Sequence, residues 1–181
     1  QLKFNYKLSM KTVVLKFGGT SVGGLDRIKK VARIIAAYKK KKFKIIVVSS
    51  AMSGATNDLI NKSKKISNDF DRAEYDCLLA SGEQIACSLI AGRLNHLGIK
   101  SRSWMSWQIP IITDGPHSAS KIYKIHKKEI LKYINSGGIP IIPGFQGINS
   151  FNRITTLGRG GSDVSAIMLA KFFNAEECII Y

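Results

Sequence analysis

The chain reads as an α/β domain, a three-layer α/β/α sandwich built around a mostly parallel central sheet. Three features carry that reading. Short unbroken apolar runs rich in Val and Ile are too brief for helices and lack the alternation of a half-exposed strand, so they read as strands covered on both faces. Segments with apolar residues three and four apart lie between them, and glycine-rich loops follow the strands. Strands that alternate with helices form βαβ units, whose sheet is parallel and covered on both sides.

Thr12-Val13-Val14-Leu15-Lys16-Phe17 is the first such strand, stopped by Gly18-Gly19. Leu25, Ile28, Val31, Ala32 and Ile35 then recur at helical spacing, and Lys44–Ser49 is a second buried strand. The Ser-, Gly-, Thr- and Asn-rich segment Ser50–Asp58 is a loop leading into a short amphipathic helix. From Asp71 to Leu97 a longer helix is expected, with Leu78, Leu79, Ile85, Ala86, Leu89 and Ile90 as its apolar face and Gly98 as its stop. In the segment from Ser101 to Tyr123, Ile109–Ile112 reads as a strand and Thr113-Asp114-Gly115-Pro116 as a turn. His126–Asn135 is a helix, and Ile139–Ile142 is a strand that runs into the loop Pro143–Gly147. The last helix is Asp163–Phe173, with Val164, Ile167, Met168 and Phe172 as its apolar positions, and Cys178–Tyr181 opens a further strand. Parallel α/β sheets bind ligands beyond the carboxyl ends of their strands. The loops after Phe17, Ser49 and Ile142 are therefore expected to face one cleft.

Composition narrows the function classes. With 181 residues, 45% of them hydrophobic, the chain can build a sizeable core, as one domain or as part of a larger one. Its three cysteines form no C-x-x-C pair and are too few and too scattered for a disulfide framework or a zinc site, so a reducing, cytoplasmic setting is expected. No apolar run approaches the ~18 residues of a membrane span. Lys and Arg outnumber Asp and Glu by 28 to 12, a net charge of +16 that would suit a polyanion. The densest cluster, Lys39–Lys42 with Lys44, instead closes a helix just ahead of a strand, where cations complement the helix dipole. Aromatic side chains do not interleave with the basic ones as in single-strand binders, so neither nucleic acid nor membrane is the expected partner.

There is no Walker A pattern and no G-x-G-x-x-G after the first strand, which disfavours P-loop and dinucleotide chemistry. Lys16-Phe17-Gly18-Gly19-Thr20-Ser21 places a cation at a strand end beside amides that an anion can approach, although a plain turn reads equally well. Thr155-Thr156-Leu157-Gly158-Arg159-Gly160-Gly161-Ser162-Asp163 is the stronger signal. It enters a helix, with Ser162 or Asp163 as the expected N-cap, free amides and a positive dipole end for phosphate, and the Arg159 fork for a carboxylate or phosphate. Two anion loops in one cleft suggest a nucleoside triphosphate and phosphoryl transfer. A carboxylate acceptor, with a pKa of ~4, would need no general base, and His96, His117 and His126 lie outside these loops and read as surface or packing residues.

The motifs K-F-G-G-T-S-V at 16–22, V-S-S-A-M-S-G-A-T-N at 48–57, S-G-E at 81–83, G-F-Q-G at 144–147 and T-T-L-G-R-G-G-S-D at 155–163 resemble those of the aspartokinases, in the family's order and across nearly all of the chain after Met10. The resemblance implies an amino acid kinase (carbamate kinase-like) fold. It also implies transfer of the γ-phosphoryl of ATP, as MgATP with Mg2+ as the cofactor ion, to the side-chain carboxylate of L-aspartate. The product is 4-phospho-L-aspartate, the first step towards diaminopimelate, lysine, threonine and methionine. By position, Lys16 and Asp163 would be catalytic, and Gly18, Gly19, Ser21, Gly161 and Ser162 would join Lys16 at the ATP phosphates. Ser50 and Thr56 would touch aspartate, Glu83 its α-ammonium and Arg159 its α-carboxylate, with Phe145 lining the pocket; no protein metal ligand is implied. The residues alone also leave open a blander alternative, with Glu83 as a solvated or helix-capping carboxylate, Ser50 and Thr56 in ordinary loop hydrogen bonds, and Phe145 in the core.

The expected organisation is an N-terminal extension at 1–10 and a catalytic domain at 11–181. That domain would be C-terminally incomplete, because aspartokinases continue with a T-D-V-D-G-type segment that completes the nucleotide pocket and with regulatory ACT domains. The full-length family member is expected to be a homo-oligomer. Other readings are a sister kinase acting on acetylglutamate, glutamate or UMP, a non-catalytic truncated remnant, or a basic nucleic-acid binder.

Overall fold

The computed structural model of the chain describes residues 10–181, so the expected extension at 1–10 lies outside the described residues but for Met10. The first βαβ unit is β1 (Thr12–Phe17), α1 (Leu25–Lys40) and β2 (Lys44–Ser49). Two helices follow, α2 (Ala55–Ile66) and the 25-residue α3 (Arg72–His96). The chain continues through β3 (Ser101–Ser103), β4 (Ile111–Asp114), β5 (Lys121–Ile125), α4 (Lys128–Asn135) and β6 (Ile139–Pro143). It ends with β7 (Gln146–Ile148), β8 (Ile154–Thr156), α5 (Gly161–Phe172) and β9 (Glu177–Ile180).

The central sheet has the order β3-β6-β2-β1-β9, and all four of its pairings are parallel. Side chains alternate across a strand, and β1 shows the consequence. Val13, Leu15 and Phe17 enter a core with Ile28, Val31 and Ile35 of α1 and Ile90 and Leu94 of α3. Val14 enters the opposite core, with Ile130 and Ile134 of α4 and Ala166 and Leu169 of α5. The sheet is thus covered on both faces, as its apolar runs imply. Lys16 shares the parity of Val14 and so faces α5 at the carboxyl end of the strand. No helix among the described residues is long and apolar enough to cross a membrane, and the three cysteines are free thiols.

A second sheet, β5-β4-β7-β8, departs from the sequence reading. Its β4/β5 and β7/β8 pairs are antiparallel and only β4/β7 is parallel. The expected strand at 109–112 begins at Ile111, and Thr113 and Asp114 belong to the strand, not to a turn, the reversal beginning at Gly115 with φ +92°. β5 was not anticipated because its register shifts opposite Ile112/Thr113 and skips Tyr123. That bulge puts Ile122 and Ile125 on the same buried side, three residues apart, which is helical spacing in a strand. Similarly, α4 starts at Lys128 instead of His126, and Gln146 and Gly147 lie in β7, not in a loop.

Two helix faces also differ from expectation. In α3 the predicted Ile85 and Leu89 are exposed, whereas Ala80, Gly82, Glu83 and Cys87 are buried. In α5 Val164 and Ile167 are exposed, and the buried positions are Gly161, Ser165, Ala166 and Leu169. Small residues decide both cases because they allow close approach. A Cβ on Gly82 would lie 2.9 Å from the Cβ of Ala51.

Candidate active site

A cavity of about 570 Å³ opens at the carboxyl edge of the parallel sheet, between the segments that follow β1, β2 and β8, the turn after β6 and the flank of α3. Lys16 reaches it from β1. Its side chain is only 9% exposed, and its Nζ lies 2.5 Å from Oδ1 of Asp163, in the first turn of α5. A nearly buried ammonium is costly without such a partner, so the pair fixes where the cation sits.

Gly19 lines the cavity, and its carbonyl accepts the Ser53 amide at 3.1 Å, stitching the loop after β1 to the loop after β2. Gly18 and Ser21 do not line it. The Gly18 amide donates to the Tyr181 carbonyl at 3.2 Å and the Ser21 amide to the Gly18 carbonyl at 2.9 Å, so the two shape the turn from behind. Sequence spacing could not separate them from Gly19, because the turn folds back on itself.

Ser50 and Thr56 both line the cavity, Thr56 from the first turn of α2, whose N-cap Gly54 adopts φ +85°. The cap of α5 is neither Ser162 nor Asp163. Gly160 is its N-cap at φ +74°, a backbone only glycine adopts readily, and Ser162 and Asp163 sit inside the first turn. Neither N-cap bonds through a side chain. The amide-rich, positive ends of two helices therefore line one cavity, the arrangement that attracts phosphate and carboxylate groups.

The turn between β6 and β7 locks the α5 end in place. A Cβ on Gly144 would lie 2.9 Å from Ser162 Cα, and one on Gly161 would lie 2.8 Å from Phe145 Cδ2. Phe145 holds φ +69°, uncommon for a non-glycine residue. Its amide donates to Ser165 Oγ at 2.9 Å and its carbonyl accepts the Leu157 amide at 2.9 Å. The aromatic ring is half-buried and lines the cavity.

Glu83 comes from α3 and is 4% exposed. Its Oε1 accepts the Ala51 amide at 3.1 Å, while its buried Oε2 has no partner. Burial pushes its pKa up to about 7, the Ala51 amide acting in the opposite direction. The Cys87 thiol one turn further on is pushed well above its ordinary value, first by burial and then by the Glu83 charge. Arg159 lines the cavity from the exposed loop ahead of α5 and pairs with no acidic side chain among the described residues. Ten of the twelve residues singled out in the sequence thus border one cavity, all but Gly18 and Ser21.

Sequence reasoning missed three neighbours, Ser118, Thr156 and the fully buried Asp76 behind them. Asp76 Oδ2 accepts the amides of Ser118 and Thr156 at 2.9 Å each, and Oδ1 accepts Ser118 Oγ at 2.8 Å and Thr156 Oγ1 at 2.7 Å. His117 Nδ1 lies 2.9 Å from Oδ2. A carboxylate only accepts, so that nitrogen carries the proton, and of the two expected readings, surface or packing, His117 takes the packing one, oriented by Asp76. The signal available in the sequence was spacing: Asp76 precedes Glu83 by seven residues, two helical turns along one face. The cavity is otherwise walled by apolar groups, among them Met52, Ile60, Tyr75 and Leu79.

The chain belongs to the amino acid kinase family, whose profile matches residues 11–181. Among its relatives is the aspartokinase of Rickettsia felis, 46% identical over 175 residues that make up 95% of this chain and 44% of that protein. The crystal structure of the aspartate kinase from Synechocystis superposes with a TM-score of 0.80 at 36% identity, over 93% of this chain and 28% of that one. The Giardia carbamate kinase shares the fold at a TM-score of 0.71 and 14% identity, over 95% of this chain and 72% of that one. The chain therefore spans less than half the length of the aspartokinases it matches.

Proposed function

We propose that residues 11–181 are part of an aspartate kinase catalytic domain that transfers the γ-phosphoryl group of ATP to the β-carboxylate of L-aspartate, yielding 4-phospho-L-aspartate and ADP. One observation carries the reading: Glu83 presents a buried carboxylate with one unpartnered oxygen, in a cavity that also holds the free Arg159 fork. A buried unpaired acceptor is costly, and an α-ammonium would satisfy it while Arg159 takes the α-carboxylate. The similarity to the Rickettsia felis aspartokinase supports the same assignment.

The phosphates of MgATP fit the other side of the cavity, where Lys16 supplies a cation and Gly19 and Ser162, in the first turn of α5, supply backbone amides, while the Gly161 amide is spent on the Gly158 carbonyl. Asp163 holds Lys16 in place. No cluster of metal-ligating side chains occurs among the described residues, so Mg2+ would enter bound to the nucleotide phosphates, keeping several waters, and would offset phosphate charge. The aspartate β-carboxylate, ionised at neutral pH, attacks the γ-phosphorus. A carboxyl oxygen–phosphorus bond forms and the bond from phosphorus to the leaving ADP oxygen breaks, with Lys16 neutralising the charge that develops on the transferring group. No proton moves, so the step needs no histidine, and none lines the cavity. Ser50, Thr56 and Phe145 would position the acceptor. The free thiols suit a cytoplasmic setting, and assembly into a homo-oligomer is proposed for the longer protein.

Calorimetric titration of the chain tests the assignment. L-Aspartate is expected to bind, and succinate, which lacks the ammonium, about tenfold more weakly or worse. Equal binding of the two, or a preference for acetylglutamate, glutamate or UMP, would overturn it. ATP-dependent hydroxamate formation from aspartate would separate a working kinase from a catalytically silent one.

A further inference from the structure

We propose that Asp76 is a positioning residue for the amino-acid half of the site: it clamps the end of β8 and the 116–120 loop together, and so sets the approach of the Arg159 loop. The inference rests on the aspartate reading given above for its ligand, but not for its geometry.

Asp76 is fully buried, and its five partners come from two segments far apart in sequence, His117 and Ser118 from one and Thr156 from the other. Hydrogen bonds to a charged group are the strong ones, and here they act as a single clasp. Ser118 needs such a clasp, because it holds φ +64°, a strained backbone for a serine. The clasp reaches Arg159 by contact. The Ser120 amide donates to the Thr156 carbonyl at 3.0 Å, and a Cβ on Gly158 would lie 3.1 Å from the Ser118 carbonyl oxygen, so the 116–120 loop backs the residue next to Arg159. Since the hydroxyls of Ser118 and Thr156 both donate to Asp76, each has only acceptor capacity left for a ligand. Glu83 projects from the same face of α3 two turns further on, about 10.5 Å along the axis. One helix face thus carries both the carboxylate proposed to meet the ammonium and the carboxylate that anchors the Arg159 loop.

The phosphate side touches this loop through the Leu157 amide, which donates to the Phe145 carbonyl at 2.9 Å, but it has further anchors of its own. Gly144 packs on Ser162, and the Phe145 amide bonds to Ser165 Oγ, with no contribution from Asp76. Loss of the clasp should therefore weaken aspartate binding more than nucleotide binding.

Asp76→Asn is the direct test, since an amide must turn donors towards a set of groups that already donate. Amide hydrogen exchange on the unliganded 181-residue chain should speed up about tenfold or more at 116–120 and 156–160, with β1 and β2 unchanged. In calorimetry the Kd for L-aspartate should rise about tenfold or more while that for MgATP stays within about threefold. Should Asp76→Asn fail to fold, Ser118→Ala and Thr156→Val, which each remove one hydroxyl, should shift the same two readouts in the same direction by smaller factors. Unchanged exchange at both loops, or equal losses for aspartate and MgATP, would overturn the proposal. Faster loop exchange in a variant whose wild-type parent binds no aspartate would support the clasp and overturn the aspartate reading instead.

Discussion

Glu83 makes the sharpest residue-level prediction because its protonation should govern both binding and stability. Its folded pKa of about 7 lies above the ordinary 4.5, so the folded chain holds the proton more tightly than the unfolded one. Stability therefore falls as pH climbs from 4.5 through about 7 and levels off above. At ~1.4 kcal/mol per unit the full effect is on the order of 3 kcal/mol. Glu83→Gln should be more stable than the parent in urea at pH 8, with the difference vanishing below about pH 4. Ligand binding runs the other way, because an ammonium needs the ionised carboxylate. L-Aspartate affinity should drop about tenfold per unit below pH 7. Glu83→Gln should bind weakly with a flat profile, and a flat profile in the parent would remove Glu83 from the ammonium site.

Packing of elements decides which parts of the site the sequence discloses. β1, β2 and β6 were legible because burial on both faces leaves unbroken apolar runs, and their loops reach the cavity because parallel strands present their carboxyl ends together. The second sheet was not, since the bulge at Tyr123 erases the two-residue period that marks a strand. Asp76 escaped notice because its partners lie about 40 and 80 positions away, a juxtaposition local patterning does not encode. Gly144 tests how far the α5 end depends on packing. Gly144→Ala would drive a methyl group into the backbone of Ser162, 2.9 Å away. Overpacking of this kind costs ~1–3 kcal/mol. The displaced helix end should also weaken MgATP binding more than aspartate binding in titrations, the reverse of Asp76→Asn.

Across the molecule, the helix ends account for part of the excess of basic residues. All five carry an acid in the first turn (Asp26, Asp58, Glu74, Glu129 and Asp163) and a base in the last, such as Lys39, Lys64, Arg93, Lys132 and Lys171. Lys39 Nζ donates to the Gly137 carbonyl and Lys127 Nζ to the Phe172 carbonyl, each at 2.8 Å, so some of this charge serves helix carboxyl ends. Two electrostatic effects then compete. Dipole pairing, worth ~0.3–1 kcal/mol per site at low salt, weakens as salt rises. Self-repulsion from a net charge of +16 weakens too. The second is spread over the whole surface, where the Debye length falls from about 30 Å at 0.01 M to about 8 Å at 0.15 M salt. Repulsion should therefore be the larger loss, and the melting temperature should rise with sodium chloride by about 2–4 °C for each kcal/mol relieved. Calorimetric scans across that range would show it, and a falling melting temperature would mean that the helix-end pairings dominate. The same charge should give retention on duplex DNA that salt abolishes and that shows no preference among sequences. Retention that discriminated sequences would point to a nucleic-acid role for this surface.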